Sequence, residues 1–116
     1  METILIPKQR MVVMRLCGEI DHHTASDIRI ALDGEIKRSG AINIALDFKE
    51  VTFMDSSGIG MIIGRYKTVA ALGGNMIIYN VSDHVKRILA MSGVPRLAIV
   101  CSTLQEGIRY INGNKR

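Results

Sequence analysis

The period of the apolar residues switches between two and roughly three and a half several times along this chain, and that alternation restricts the possible folds more than any other feature. Ile42, Ile44, Leu46 and Phe48 alternate with Asn43, Ala45, Asp47 and Lys49, the period of a strand. Before them, Ala25, Ile28, Leu32 and Ile36 recur at helical spacing from a possible cap at Asp21 to about Arg38, with Gly40 as the stop. After them, a helical pattern runs from Ser57 to about Leu72 and ends at Gly73-Gly74. Its expected apolar face is Ile59, Ile62, Ile63, Tyr66, Val69 and Ala70. Met76–Tyr79 is a continuous apolar run, as in a buried strand. Ser82 opens a helix with Val85, Ile88 and Leu89 inward, closed by Gly93 and Pro95. Leu97–Val100 reads as the last strand, and Ser102 with Gln105 as the capping box of a final helix carrying Leu104, Ile108 and Ile111.

Two β signals precede all of this, Thr3–Ile6 and Met11–Cys17, joined by Pro7-Lys8-Gln9-Arg10. So short a link makes them an antiparallel hairpin. The expected order is therefore ββαβαβαβα. Strands alternating with helices require crossovers, so the chain is expected to be an α/β protein with a mainly parallel sheet and an antiparallel N-terminal strand. Its 116 residues suit one domain over 1–116 and can bury a core without disulfides or metals.

Composition removes several function classes. The hydrophobic fraction of 47% and charged fraction of 22% are those of a globular chain, not a disordered one. No apolar run approaches a membrane span, and the opening residues lack the basic start of a secretory signal. Both point to a cytoplasmic protein with no membrane partner. Cys17 and Cys101 are expected to be reduced, buried, small apolar residues. They do not combine with His22, His23 or His84 at metal-ligand spacing, so no metal and no cofactor is expected. The net charge of +4 raises the question of nucleic acid. The basic residues are scattered, however, apart from Lys115 and Arg116 at the end, and aromatic residues make up 4%. That is too few for base stacking. A mildly basic surface facing an acidic protein partner fits better.

The informative stretch is Phe53-Met54-Asp55-Ser56-Ser57-Gly58-Ile59-Gly60. Asp55, Ser56 and Ser57 stand immediately before the amphipathic helix, and one of them must be its N-cap. A cap does not explain three candidates in a row. Beyond them, Gly60 and Gly64 lie four residues apart on a helix where each glycine costs about 1 kcal/mol relative to alanine. They either pack against a neighbouring element or form a flat strip where a partner can approach. A serine at a helix start can carry a phosphate, because free N–H groups and the dipole favour the added charge. The new charge of about −2 would repel an anionic partner without unfolding the domain.

Taken together, Gly18-Glu19-Ile20-Asp21-His22-His23-Thr24-Ala25, Phe53–Gly60, Gly64-Arg65-Tyr66-Lys67, Val85-Lys86-Arg87 and Met91-Ser92-Gly93 resemble STAS-domain anti-sigma factor antagonists. The similarity is greatest to those of the sporulation sigma-F system and covers nearly the whole chain in order. The Asp-Ser-Ser-Gly stretch alone would indicate only the broad STAS class; the Asp-His-His and Gly-Arg-Tyr-Lys segments are more specific. The resemblance implies a single STAS domain that is not itself an enzyme. It implies that the unmodified chain binds an anti-sigma factor that is also a serine kinase, with ATP or ADP held on that partner, and so releases a sporulation sigma factor. It implies that the kinase phosphorylates Ser56, that the product dissociates, and that a PP2C-type phosphatase restores it. Ser57 is then expected to cap the helix. Turns that follow adjacent parallel strands should meet at one sheet edge. Asp21, His22, His23, Asp55, Ser57, Gly58 and Gly60 are accordingly expected to frame the partner contact, with Gly64 and Arg65 extending it.

Other readings fit less well. A phosphoaspartate receiver needs an acidic pair after its first strand and a lysine after its last, and neither is present. Gly58-x-Gly60 with Gly64 has the wrong spacing for a dinucleotide fingerprint, and the serine lacks the preceding glycine of a nucleophile elbow. Within the STAS class, a general stress-response antagonist or scaffold is the alternative.

Overall fold

A computed structural model describes residues 1–113; the closing Lys115–Arg116 pair lies outside the described residues. Five strands form one sheet in the order β1-β2-β3-β4-β5: β1 (Glu2–Ile6), β2 (Met11–Ile20), β3 (Asn43–Met54), β4 (Met76–Tyr79) and β5 (Ile99–Cys101). β1 and β2 are antiparallel, turning through a 3-10 turn at Pro7–Gln9 and a left-handed Arg10. The other three pairings are parallel. The helices are α1 (His22–Ser39), α2 (Ser56–Ala71), α3 (Asp83–Ser92) and α4 (Leu104–Gly113). Both the expected element order and the strand directions hold.

Strand order equal to chain order means every crossover steps the same way. With the usual right-handed connection, successive helices then land on one face. The core divides accordingly. On one face Val12, Met14, Leu16, Ile44, Leu46, Phe48, Met76 and Ile78 pack with Ile28 and Leu32 of α1, Ile62 and Val69 of α2 and Leu89 of α3. On the other, Met11, Val13, Ala45, Ile77 and Tyr79 are covered by Leu104, Ile108 and Ile111 of α4.

This second layer changes the reading of the central strand. Asn43, Ala45 and Asp47, the polar and small half of the alternation, are buried as well as Ile44 and Leu46 on the opposite face. Asp47, only 5% exposed, accepts hydrogen bonds from Lys49 N–H (3.0 Å) and Asn80 Nδ2 (3.1 Å) and lies 3.4 Å from Arg15 Nε. A buried carboxylate persists only with such partners.

Several local expectations are corrected. Ala70 is exposed rather than on the packed face of α2. The last strand is shifted to Ile99–Cys101. The box at the start of α4 is Thr103 with Glu106, not Ser102 with Gln105: Thr103 Oγ1 accepts from Glu106 N–H (3.2 Å), and Glu106 Oε1 accepts from the N–H groups of Ser102 (2.9 Å) and Thr103 (3.2 Å). Glutamate outcompetes glutamine here because its charge reaches two free donors at once. Cys17 is exposed and Cys101 half-buried; both are free thiols. Cys17 lies where β2 bulges between Arg15 and Cys17 and again at Gly18 and Glu19, so its side chain leaves the core-facing row.

Candidate functional site

The site lies where β2 and β3 end. Glu19 and Ile20 pair with Phe53 and Met54, and one hydrogen bond beyond the ladder, Asp55 N–H to Ile20 C=O at 3.2 Å, ties the two exit turns together. Gly18 permits this alignment: its φ of +74° inside the bulge is one a side chain rarely adopts. The expected meeting of the two turns at one sheet edge is what the backbone builds.

Each turn then opens a helix with an aspartate cap. Asp21 Oδ1 accepts from His23 N–H and Thr24 N–H, both at 3.0 Å, and Thr24 Oγ1 accepts from Asp21 N–H at 2.8 Å, a complete capping box. The Thr24 backbone bond, then its hydroxyl, with smaller help from His23, holds the Asp21 carboxyl below its ordinary value. Asp55 does the same for α2: its Oδ1 accepts from Ser57 N–H at 2.8 Å and Gly58 N–H at 3.4 Å. Ser57 is therefore not the cap. Of the three capping types in a row, aspartate takes the role, since its carboxylate binds two N–H donors and also complements the positive end of the helix.

With Asp55 capping, Ser56 becomes the first helical residue and is exposed, and Ser57 is half-buried behind it. Gly58 is buried: a Cβ there would meet Met54 Cγ at 2.3 Å, Met54 Sδ at 2.7 Å and Ile20 Cγ2 at 3.0 Å. It lets α2 seat against the strand ends and, being buried, presents little surface of its own. Gly60 and Gly64 are different. Nothing lies within 4 Å of a Cβ built at either, so internal packing does not account for them and α2 presents an open strip.

Gly60, at one end of that strip, borders a groove of about 350 Å³ between α1 and α2, lined by His22, Ala25, Ser26 and Arg29 on one side and Ser57, Gly60, Met61 and Arg65 on the other. Arg65 is largely buried rather than solvated. Its side chain is 12% exposed, with Nε 3.0 Å from Asp33 Oδ1 of α1. His22 and His23 are exposed and meet edge-on, ring centroids 5.7 Å apart. Ser26 and Arg29 were not singled out from sequence, although they follow His22 at helical spacing and so share its face. Phe53, 42% exposed at the same sheet edge, stacks on His84 of α3 with centroids 6.1 Å apart. A large aromatic in the polar end of the strand, after Lys49, Glu50 and Thr52, was the available signal. Among the described residues no group of three or more His, Cys, Asp or Glu side chains could hold a metal, and no helix is long and apolar enough to cross a membrane.

The sheet edge thus carries two capped helix starts, an exposed serine and an open flanking groove. The family model for the STAS domain matches residues 4–107, and the chain belongs to that family. It is 44% identical over 84 residues to the anti-sigma F factor antagonist of Paenibacillus polymyxa, covering 72% of each chain. It is 35% identical over 83 residues to that of Lysinibacillus sphaericus, covering 72% of this chain and 71% of the other. Among solved structures, the anti-sigma factor antagonist SpoIIAA in its unphosphorylated form superposes with a TM-score of 0.73 at 28% identity, over 97% of both chains. The Bacillus cell fate determinant SpoIIAA in its phosphorylated form gives 0.71 at 30% identity, over 95% of this chain and 97% of that one. These relatives place the chain among the anti-sigma factor antagonists of the STAS family.

Proposed function

We propose that the unphosphorylated chain binds an anti-sigma factor that is also a serine kinase, frees a sporulation sigma factor by doing so, and is switched off when that kinase phosphorylates Ser56. A PP2C-type phosphatase resets it. The chain works in the cytoplasm and performs no catalysis; phosphoryl transfer and the nucleotide belong to the partner. The observation that carries this reading is the exposed Ser56 hydroxyl in the first turn of α2, on an edge whose two turns are already tied together. Asp21, His22, His23, Asp55, Ser57, Gly60 and Gly64 surround it as contact or supporting residues, with Arg65 reached through the groove. The relatives named anti-sigma F factor antagonists support the sporulation assignment, and the phosphorylated form of the related SpoIIAA supports a phosphate switch.

A phosphate on the exposed Ser56 would stand at the positive end of the α2 dipole, beside the Asp55 cap, and leave the core untouched. Release of the partner then follows from repulsion at the contact rather than from a change of fold. The test is incubation with the purified anti-sigma protein and ATP, followed by mass spectrometry and binding measurements. One phosphate on Ser56, none on Ser56→Ala, and loss of binding by Ser56→Asp are expected. A phosphate at another residue, or Ser56→Asp binding as tightly as the native chain, would overturn the switch.

A general stress role is the second reading. It is favoured by the 29% identity, over 68% of this chain, to the anti-sigma-B factor antagonist of Listeria monocytogenes. Titration against the anti-sigma proteins of both systems separates the two by which is bound more tightly.

A further inference from the structure

The last strand of the sheet has a neighbour on one side only. β5 pairs with β4 and ends the strand order, and an edge strand leaves alternate backbone N–H and C=O groups without ladder partners. Natural edges are commonly guarded by a bulge or a proline within the strand; Ile99–Cys101 has neither. A groove of about 680 Å³ runs along this free edge, with residues 97–102 as its floor, Lys86 of α3 on one side and Glu106 and Tyr110 of α4 on the other. Its apolar part is open to solvent: Leu97 is 40% and Tyr110 58% exposed. Its charge is divided between the two ends of the strand. Arg96, just ahead of β5, and Glu106, just beyond it, are both exposed, as is Lys86. None of the three has an ion-pair partner among the described residues. Of the Glu106 carboxylate only Oε1 is engaged there, by the N–H groups of Ser102 and Thr103.

We infer that this edge receives a second copy of the chain, with β5 antiparallel to its counterpart across a two-fold axis, so that the two sheets join into one. The charges select that arrangement. An isologous antiparallel pairing sets the start of one strand against the end of the other. Arg96 of each copy then comes beside the partner's Glu106, and the pair forms twice. A parallel approach would instead set like charge on like, Arg96 against the partner's Arg96, which costs stability. The same contact covers the exposed Leu97 and Tyr110. The strand has only three residues, so the backbone supplies few bonds and the association is weak and reversible. β4 stands between this edge and β3, whose exit turn leads into Ser56. Pairing through β5 therefore leaves the turns at the ends of β2 and β3 uncovered, and each copy keeps its own Ser56 edge. The inference does not depend on the function proposed above.

The test is sedimentation velocity of the full chain from about 1 µM to about 1 mM, with backbone amide chemical shifts recorded over the same range. Reducing agent is kept present so that the exposed Cys17 cannot cross-link copies. A monomer–dimer equilibrium with a Kd of about 10–100 µM is expected for so small a contact. Shifts on concentration should fall on Ile99–Cys101 and on the amides of Arg96, Glu106 and Tyr110. Arg96→Glu should raise Kd about tenfold or more, because it sets like charges together at both ends of the contact. Tyr110→Lys, on a different element, should raise it about fivefold or more. Both side chains are exposed, and circular dichroism with thermal melts checks that each variant folds. A chain that stays monomeric at about 1 mM would overturn the inference. So would a dimer indifferent to both substitutions, or concentration-dependent shifts that fall on β1 instead. Shifts at Ile99–Cys101 that appear only on adding the anti-sigma protein would overturn it too, and would assign the edge to that partner. Each of these results leaves the Ser56 reading intact, and absence of phosphate at Ser56 would leave the dimer intact.

Discussion

Replacing Gly58 by alanine, with Gly60→Ala as its companion, separates the two jobs that glycine performs in α2. At Gly58 the new methyl would fall 2.3 Å from Met54 Cγ and 2.7 Å from its sulfur, with Ile20 Cγ2 at 3.0 Å. Met54 and Ile20 are 1% and 0% exposed, so neither has solvent to move into. Overpacking of this kind costs about 1–3 kcal/mol. Alanine returns up to about 1 kcal/mol of helix propensity, less so in the first turn. The net loss is about 1–2 kcal/mol, a fall in Tm of roughly 4–8 °C for a domain of this size. At Gly60 the methyl meets open space, so only the propensity gain remains, about 0.5–1 kcal/mol and a rise of roughly 2–4 °C. Urea titration at constant m-value, with a parallel thermal melt, reads both. The pair should also differ in binding. Gly60→Ala, the more stable variant, should bind the partner less well because it narrows the groove, whereas Gly58→Ala should lose stability first. Equal stability of Gly58→Ala and the native chain, or a destabilised Gly60→Ala, would refute the division.

Three further outcomes follow from the same geometry. Asp55→Ala should cost about 1 kcal/mol through the lost cap of α2, seen as a lower urea midpoint, whereas Ser57→Ala should leave that midpoint nearly unchanged. Asp21 has a folded-state carboxyl held below its ordinary value near 3.8. Its stabilising contribution is thus present above that value and is lost as pH falls below it through the lowered folded-state value, so Asp21→Asn should flatten the acid limb of the stability curve below about pH 4. A disulfide reagent at neutral pH should label the exposed Cys17 quickly and Cys101 slowly, because burial, then the Glu106 charge, pushes the Cys101 thiol up; mass spectrometry over time resolves the two.

Sheet composition, strand direction and helix placement were legible because they depend on patterns within a few residues. The cap at Asp21 is such a case: the residue that begins the apolar period also begins the helix. So is Ser82, whose side chain accepts from Val85 N–H. Choices among equivalent neighbours were less legible. Asp55 rather than Ser57, and Thr103 with Glu106 rather than Ser102 with Gln105, were settled by which side chain could reach two free N–H groups at once. What depends on distant segments was not legible at all. Asp47 looks like the wet side of a strand until α4 returns to cover that face and Asn80 and Arg15 close on the carboxylate. Arg65 looks like a surface charge until Asp33, from a different helix, takes it in. The groove, which neither helix contains alone, needed both.

The single hydrogen bond between Asp55 N–H and Ile20 C=O bears on the energetics of recognition. Loops that meet a partner while still fluctuating must be frozen on contact, and the freezing subtracts from affinity. Here the two turns are fastened before any encounter, so little of the interaction energy is spent on ordering them. Under the proposed switch, a phosphate at the rim would then act on nearly the whole of the affinity, with little left over for ordering the turns.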